Sequence, residues 1–355
     1  MNVPEYLING NITLYSSGSY SVGYMLNFEN EVPDNMSKKL FIKVVPLCEI
    51  SFREDFYFHY MGIQHLQILV SHDSWYKNEV YIQRDVYNKT SDFPICLKIH
   101  DDFIVNNENI QDFFNVVLKQ TDISFNVDDS VGTNLKLGVI VMDFCKGEMA
   151  VRKFKHYYTN SKKFGSHFLS NRMKIFINRQ EDEIIALFYL TQIIYALIKL
   201  MHMGYIHNDI HFGNIMINDS EICTNQAYDE NDNIIQYYMG KVYIIDFGNT
   251  YNQRLTNAYL KKIKVNESYE NLSLSKIINI LGRKIIIDGY DFNKKQFVNK
   301  WYIYDWMINI FFNKENITIN EEIIKNMEIL VNNFENNICI DGVKKTEKKS
   351  CFCFW

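Results

Sequence analysis

The chain has no excess of basic charge, no paired cysteine motif and no long unbroken apolar run, and each gap removes a class of function. Lys and Arg number 37 against 42 Asp and Glu, for a net charge of -5. A general nucleic-acid coat draws on a basic surface, so nucleic acid is not an expected partner. The seven cysteines, Cys48, Cys96, Cys145, Cys223, Cys339, Cys351 and Cys353, are odd in number and include no CxxC pair. Zinc and dithiol chemistry are left without a framework, and reduced, cytosolic-type thiols are expected. The opening MNVPEYLING lacks the basic and apolar regions of a signal peptide, which predicts a cytoplasmic chain. Ile184 to Ile206 comes nearest to a membrane span, but Thr191, Gln192, Lys199 and His202 interrupt it. A span needs roughly 18 or more nearly unbroken apolar residues, so this stretch reads as a buried helix.

What is present is a chain of 355 residues, 47% of them hydrophobic, long enough for two domains of about 150 residues each. Ile12 to Leu26, interrupted by Ser16, Ser17, Gly18, Ser19 and Ser21, and Lys39 to Val45 read as strands. The spacing over Trp75 to Tyr87 predicts a helix, Pro94 ends that region, and Ile95 to Ile99 and Leu137 to Phe144 read as further strands, with a turn at Cys145 to Glu148. Beyond this the pattern changes to a long helix over Glu183 to Met203. Short strands follow at Ile215 to Ile217 and Val242 to Ile245, separated by a polar insert, Asn218 to Gly240, that reads as an exposed loop. Trp301 to Phe312 and Ile323 to Phe334 are predicted helices. A small β-rich part followed by a larger helical part is the α+β architecture this order implies.

The polar residues gather in two places. His207-Asn208-Asp209-Ile210-His211-Phe212-Gly213-Asn214 follows the long helix, and Ile244-Ile245-Asp246-Phe247-Gly248 follows a short strand. Together, in this order, they resemble the catalytic loop and the D-F-G element of the protein-kinase-like superfamily. The resemblance implies a bilobal fold, with an N-lobe over residues 1–141, a hinge over 142–148, a C-lobe over 149–340 and a basic, cysteine- and aromatic-rich tail over 341–355. It implies ATP and Mg²⁺ as cofactors. Transfer of a γ-phosphoryl group depends on positioning and electrostatic stabilisation. By motif position Asp209 orients the acceptor hydroxyl and takes its proton, and Asn214 and Asp246 supply hard oxygen ligands for the metal.

Upstream, Ser16 to Gly23 looks like an eroded Gly-rich phosphate loop, with Gly18 and Ser19 at its tip, and Phe41-Ile42-Lys43 resembles the strand that sets a lysine against the phosphates. Glu79 is the glutamate expected to pair with Lys43. The 36-residue interval between them, longer than usual for the family, implies an insertion around Leu47 to His72. Met142 would line the back of an adenine pocket, and Asp143 to Cys145 would offer backbone hydrogen bonds to the base. Tyr304-Asp305-Trp306 resembles the start of a central helix whose aspartate ties down the catalytic loop.

The departures bear on substrate. Asn208 stands where many protein kinases carry an arginine that pairs with a phosphorylated loop. His211 stands in place of the catalytic-loop lysine and carries full charge only when protonated. No A-P-E motif follows Asp246. The pattern H-x-D-x-H-x-x-N is similar to that of aminoglycoside and choline kinases and of some atypical or viral protein kinases; for a viral protein the compartment would be the host cytoplasm. Three functions stay open: a serine/threonine protein kinase, which leads; a small-molecule kinase acting on a small hydroxyl substrate; and a pseudokinase scaffold. His207 and His211 at i, i+4 would suit zinc on a helix face, but Gly213 and the preceding helix end place them in a loop. The tail from Lys344 to Trp355 reads as a disordered end; its lysines together with an acylated Cys351 or Cys353 would form a two-signal membrane anchor.

Overall fold

The computed structural model describes residues 3–18, 20–29, 32–48, 57–61, 65–119, 124–127, 135–150, 181–210, 212–228, 234–284, 286–291, 296–302, 325, 328, 329, 331, 332, 334, 335, 339 and 340; for 57–67, 124–127, 181–187, 212, 224–237, 282–302, 339 and 340 only the backbone is described. The chain is a mixed α+β protein whose strands pair almost wholly antiparallel. It divides into two compact units, Met1–Lys89 with Cys96–Cys145, and Thr90–Ile95 with Lys146–Trp355.

In the first unit a short helix, α1 (Glu5–Asn9), precedes the hairpin β1 (Asn11–Ser17) and β2 (Val22–Asn27), followed by β3 (Lys39–Cys48). Strands β4 (Tyr57–Met61), β5 (His65–Leu69) and β6 (Ser71–His72) lead into helix α2 (Asp73–Lys89). Then come β7 (Ile99–Asn106), a short helix α3 (Ile110–Asp112), β8 (Ser124–Val127) and β9 (Lys136–Asp143). The main sheet runs β1-β2-β3-β9-β7, with β6 parallel to β3, while β5-β4-β8 form a separate three-stranded sheet. The stretch read as an insertion therefore contains β4 and β5, and the second partner of β4, β8, lies far along the chain.

Strand β9 is the centre of this unit. Leu137, Val139, Ile140, Val141 and Met142 are all buried, the near-continuous apolar run of a strand covered on both faces. Gly138 interrupts it because α2 lies close: a methyl group there would sit 2.5 Å from the Tyr76 ring. The Tyr76 hydroxyl donates to the Val139 carbonyl at 2.8 Å, and burial raises its pKa well above the ordinary tyrosine value. Helix α2 carries Asp73 in its first turn and Lys89 in its last, which complements the helix dipole.

The second unit contains β10 (Gly147–Met149), the 22-residue helix α4 (Glu181–His202), β11 (Ile215–Tyr228), β12 (Ile234–Ile244), α5 (Gln253–Lys262), α6 (Leu274–Lys284), the hairpin β13 (Ile286–Asp291) and β14 (Gln296–Tyr302), and β15 (Cys339–Ile340). Its sheet runs β10-β11-β12, with β15 also on β11. Helix α4 buries Phe188, Leu190, Ile193, Leu197, Leu200 and Met201 and ends at Gly204, whose φ of +82° is the left-handed conformation glycine adopts without penalty. There the Gly204 N–H donates to the Met201 carbonyl at 2.9 Å and the Tyr205 N–H to the Leu200 carbonyl at 2.8 Å. This paired closure terminates the helix after His202 and fixes where the next loop starts. No helix among the described residues is long and apolar enough to cross a membrane.

Several expectations need correction. Ile95 to Ile99 is not a strand: pairing starts only at Ile99. The preceding carbonyls are taken singly, Ile95 by the Ile244 N–H and Leu97 by the Gln83 side-chain amide. The turn expected over Cys145 to Glu148 is interrupted by β10, which pairs Gly147 with Asn218 and Glu148 with Ile217. The insert Asn218 to Gly240 is a long hairpin, with register from Ile222↔Gly240 to Tyr228↔Ile234 and an irregularity between Asn218 and Ile222. At that irregularity the Asn218 carboxamide accepts from the Ser220 N–H and donates to Glu221. Trp301 and Tyr302 belong to β14, not to a helix, and 303–312, with Asp305 and Trp306, lie outside the described residues. The described residues between 325 and 335 are helical, as the spacing predicted.

Candidate functional site

The sequence-predicted residues form two constellations, one in each unit. In the first unit, β3 carries Lys43 and α2 carries Glu79. The Lys43 Nζ donates to Glu79 Oε1 at 2.6 Å, with side-chain exposures of 14% and 6%. Glu79 lies in a row with Tyr76, Val80 and Gln83 on the buried face of α2. The charge reaches the sheet because the helix is seated on β9 through Tyr76 and Gly138. A pair this far from water holds its geometry by mutual attraction, since either charge alone would be costly there.

The loop between β1 and β2 turns at Gly18, whose N–H donates to the Ser21 carbonyl at 2.9 Å. A methyl group on Gly18 would meet no described atom closer than 3.9 Å, so the packing of the chain does not require glycine there. Gly23 is different: Phe41 of β3 fills its face, 2.4 Å from where a methyl would sit. Tyr20 at the loop packs edge-on against Trp75, one turn before Glu79, with centroids 6.5 Å apart. Ser19 lies outside the described residues.

At the end of β9, Met142 is buried, and its sulfur lies 3.9 Å from the Gln83 amide nitrogen. The Asp143 N–H donates to the Lys98 carbonyl at 3.0 Å, and the Asp143 carboxylate lies 2.7 Å from His100 Nε2. That N–H is therefore already taken, one of the several backbone groups over Asp143 to Cys145 expected to face a base. Cys145 is buried at the end of the unit.

In the second unit, the loop after α4 and the loop after β12 are bound to each other rung by rung. Ile206 and Tyr251 exchange backbone hydrogen bonds of 3.3 and 2.7 Å. The Thr250 hydroxyl donates to the His207 carbonyl at 3.4 Å. His207 Nε2 lies 3.0 Å from the Ile245 carbonyl; a carbonyl only accepts, so the proton sits on Nε2. The His207 ring packs edge-on against Phe247 at 5.2 Å. The Ile245 N–H donates to the Asn214 carbonyl at 3.0 Å. His207 is thus a buried loop anchor, 1% exposed.

Within this frame Asp209 is half-buried and Asn214 buried. The Asn214 Nδ2 donates to the Asp209 backbone carbonyl at 3.0 Å, and the Asn249 Nδ2 donates to the Asp209 Oδ2 at 3.2 Å. Asp246 is exposed, and its backbone lies in the left-handed region, φ +65° and ψ +70°. Asn208, next to Asp209, is also left-handed, φ +61°. Asparagine and aspartate tolerate this conformation better than other L-residues, yet it still costs energy, and such strain gathers where side-chain direction matters. His211 lies outside the described residues.

The donor set suits a hard divalent cation in one specific way. With its NH₂ end committed to the Asp209 carbonyl, the Asn214 carboxamide oxygen is the end left to act as a ligand, and the exposed Asp246 follows directly on Ile245, whose N–H is bonded to the Asn214 carbonyl. One carboxylate and one neutral oxygen are what Mg²⁺ takes from a protein when phosphates and water complete its shell. Among the described residues no group of three His, Cys, Asp or Glu forms a metal cluster.

Asn249 is the functional candidate that the motifs did not reveal. Its signal in the sequence is slight: an amide side chain three residues after Asp246, in a turn that brings it back toward the first loop.

No protein-family model matches the chain, and no curated protein matches it. Among solved structures, the crystal structure of a kinase domain overlaps 68% of this chain and 50% of that chain, at 15% identity and a TM-score of 0.30. This chain therefore spans about half the length of the structure it matches, and an overlap at that identity and score settles neither fold nor activity.

Proposed function

We propose that the chain is an ATP-dependent phosphotransferase that moves the γ-phosphate of ATP to a hydroxyl group, with Ser or Thr of a protein as the acceptor. The observation that carries this reading is the interlock of the two loops. Asp209 and Asn214 lie on one loop and Asn249, three residues after Asp246, on another about 40 residues further on, and hydrogen bonds within and between the loops hold them together.

In the proposed reaction the acceptor oxygen attacks the γ-phosphorus and its proton passes to the Asp209 carboxylate. The bond to the β–γ bridging oxygen breaks and ADP leaves. Asp209 first orients the hydroxyl as hydrogen-bond acceptor, and proximity of this kind accounts for a large part of such catalysis. Lys43, held by Glu79, is assigned to the phosphates. Asn214 and Asp246 would hold Mg²⁺, which supplies neutralisation of phosphate charge when bound. The Gly18 turn is assigned to covering the phosphates, a role its uncrowded face permits.

A small hydroxyl compound is the second acceptor class, favoured by His211 and by the missing A-P-E motif. Incubation with γ-labelled ATP and Mg²⁺, offering in turn a generic protein mixture, the chain alone and a set of amino alcohols, separates the readings. Label on serine or threonine supports the proposal. Label on an amino alcohol moves the chain to the small-molecule class, and nucleotide binding with no label anywhere leaves the scaffold reading.

A further inference from the structure

We propose that Asn249 is a positioning residue for the phosphoryl transfer: its carboxamide fixes the orientation of the Asp209 carboxylate, an inference that rests on the phosphotransferase reading above. Residues 206–209 and 249–251 run past each other in antiparallel order. Ile206 pairs with Tyr251 through the backbone, His207 with Thr250 through a hydroxyl, and Asp209 with Asn249 through side chains alone. The ladder thus passes from backbone to side chain at the residue assigned as base.

The chemistry of that last rung is specific. The terminal torsion of an aspartate is broad, so the rotamer alone does not set the direction of its two oxygens. A single donor on Oδ2 selects one orientation and leaves Oδ1 as the oxygen to meet the acceptor hydroxyl. A neutral amide does this without adding a charge that would compete with the metal or the phosphates. Asn249 also closes the short turn Phe247–Asn249 that begins immediately after Asp246, and the Thr250 N–H donates back to the Phe247 carbonyl at 3.0 Å. The proposed base and the proposed metal ligand are thereby registered through three residues of chain.

A structural role for the same bond is a poor alternative. Asn249 is exposed, and an exposed amide–carboxylate bond of 3.2 Å adds little to folding. Its removal should appear in turnover and not in stability.

The test is steady-state phosphotransfer, with melting temperature alongside, for the wild type, Asn249→Ala, Asn249→Asp, Asn249→Ser, Asp209→Ala and the double variant Asp209→Ala/Asn249→Ala. Asn249→Ala should lower kcat about 10- to 100-fold, the scale of a displaced reacting group, with KM for ATP within about twofold and an unchanged melt. Asn249→Asp, of the same shape but without the donor, should lose at least as much, and Asn249→Ser, a shorter donor, should recover part of the rate. In the Asp209→Ala background the second substitution should cost nothing further. Wild-type kcat in Asn249→Ala, an equal loss in both backgrounds, or a loss confined to KM or to melting overturns the inference while the phosphotransferase reading stands. A wild type that transfers no phosphate to any acceptor removes the reading and the inference with it.

Discussion

Asp246 and Asn208 pay for their direction in backbone strain, and glycine at either position measures how much. Asp246→Gly should stabilise the chain by about 1 kcal/mol, because glycine carries little or no penalty at positive φ, while removing the carboxylate and with it Mg²⁺-dependent activity. Urea denaturation gives the first quantity and a phosphotransfer assay the second. A variant that is neither more stable nor inactive contradicts the assignment of strain to function at this residue. For the Lys43–Glu79 pair, Glu79→Leu should destabilise the chain by roughly 3–5 kcal/mol, the cost of stranding one charge of a buried pair. Lys43→Met added to it should restore most of that loss without restoring activity. Stability that stays low in the double variant would show that the pair's own attraction is not the reason for the first loss. The pairing of Lys43 with Glu79 was expected from the sequence and is present in the structure, while Asp209, Asn214 and Asp246 were singled out by motif order. Asn249 was not, since its role depends on a turn closing across 40 residues, which no local pattern encodes.

Among the elements, α4 does most to place the second constellation. The Gln192 Nε2 donates to the Gly240 carbonyl at 3.2 Å, its Oε1 accepts from the Val242 N–H at 3.0 Å, and the Tyr189 hydroxyl accepts from the Gly240 N–H at 3.2 Å. These bonds pin β12 four residues before Asp246. Gln192→Leu leaves two buried backbone groups without those partners and should cost about 2–4 kcal/mol, read as a lowered urea midpoint; a midpoint equal to wild type would mean that β12 is held by its ladder alone. The neighbouring Cys223 of β11 is buried, and burial pushes its thiol up to about 12, with Glu221 raising it further and Lys241 opposing. Below that value the thiol stays protonated in the folded chain. At pH 8.5 iodoacetamide should therefore leave Cys223 unmodified until denaturant is added, as mass spectrometry of the digested chain can check. The hairpin that carries Cys223 was hidden from sequence reading for a physical reason. Its Asn-, Gln- and Asp-rich strands have the composition of a loop, and only pairing between the strands, from Ile222↔Gly240 to Tyr228↔Ile234, reveals them as sheet. Helix α4 and strand β9, each an apolar run of clear period, were visible at once.

At the scale of the whole molecule, the chain is two compact units, each carrying its own set of candidate groups, and the phosphotransferase account predicts that loss of a group from either set abolishes transfer. The most direct test is the rate of γ-phosphate transfer with Mg²⁺ in wild type, Asp209→Ala and Lys43→Met, each checked for an intact fold by its melt. The account predicts losses of about 100- to 10,000-fold for Asp209→Ala, the range that a positioned general base supplies, and a comparable collapse for Lys43→Met. Near-wild-type transfer in either folded variant would contradict it.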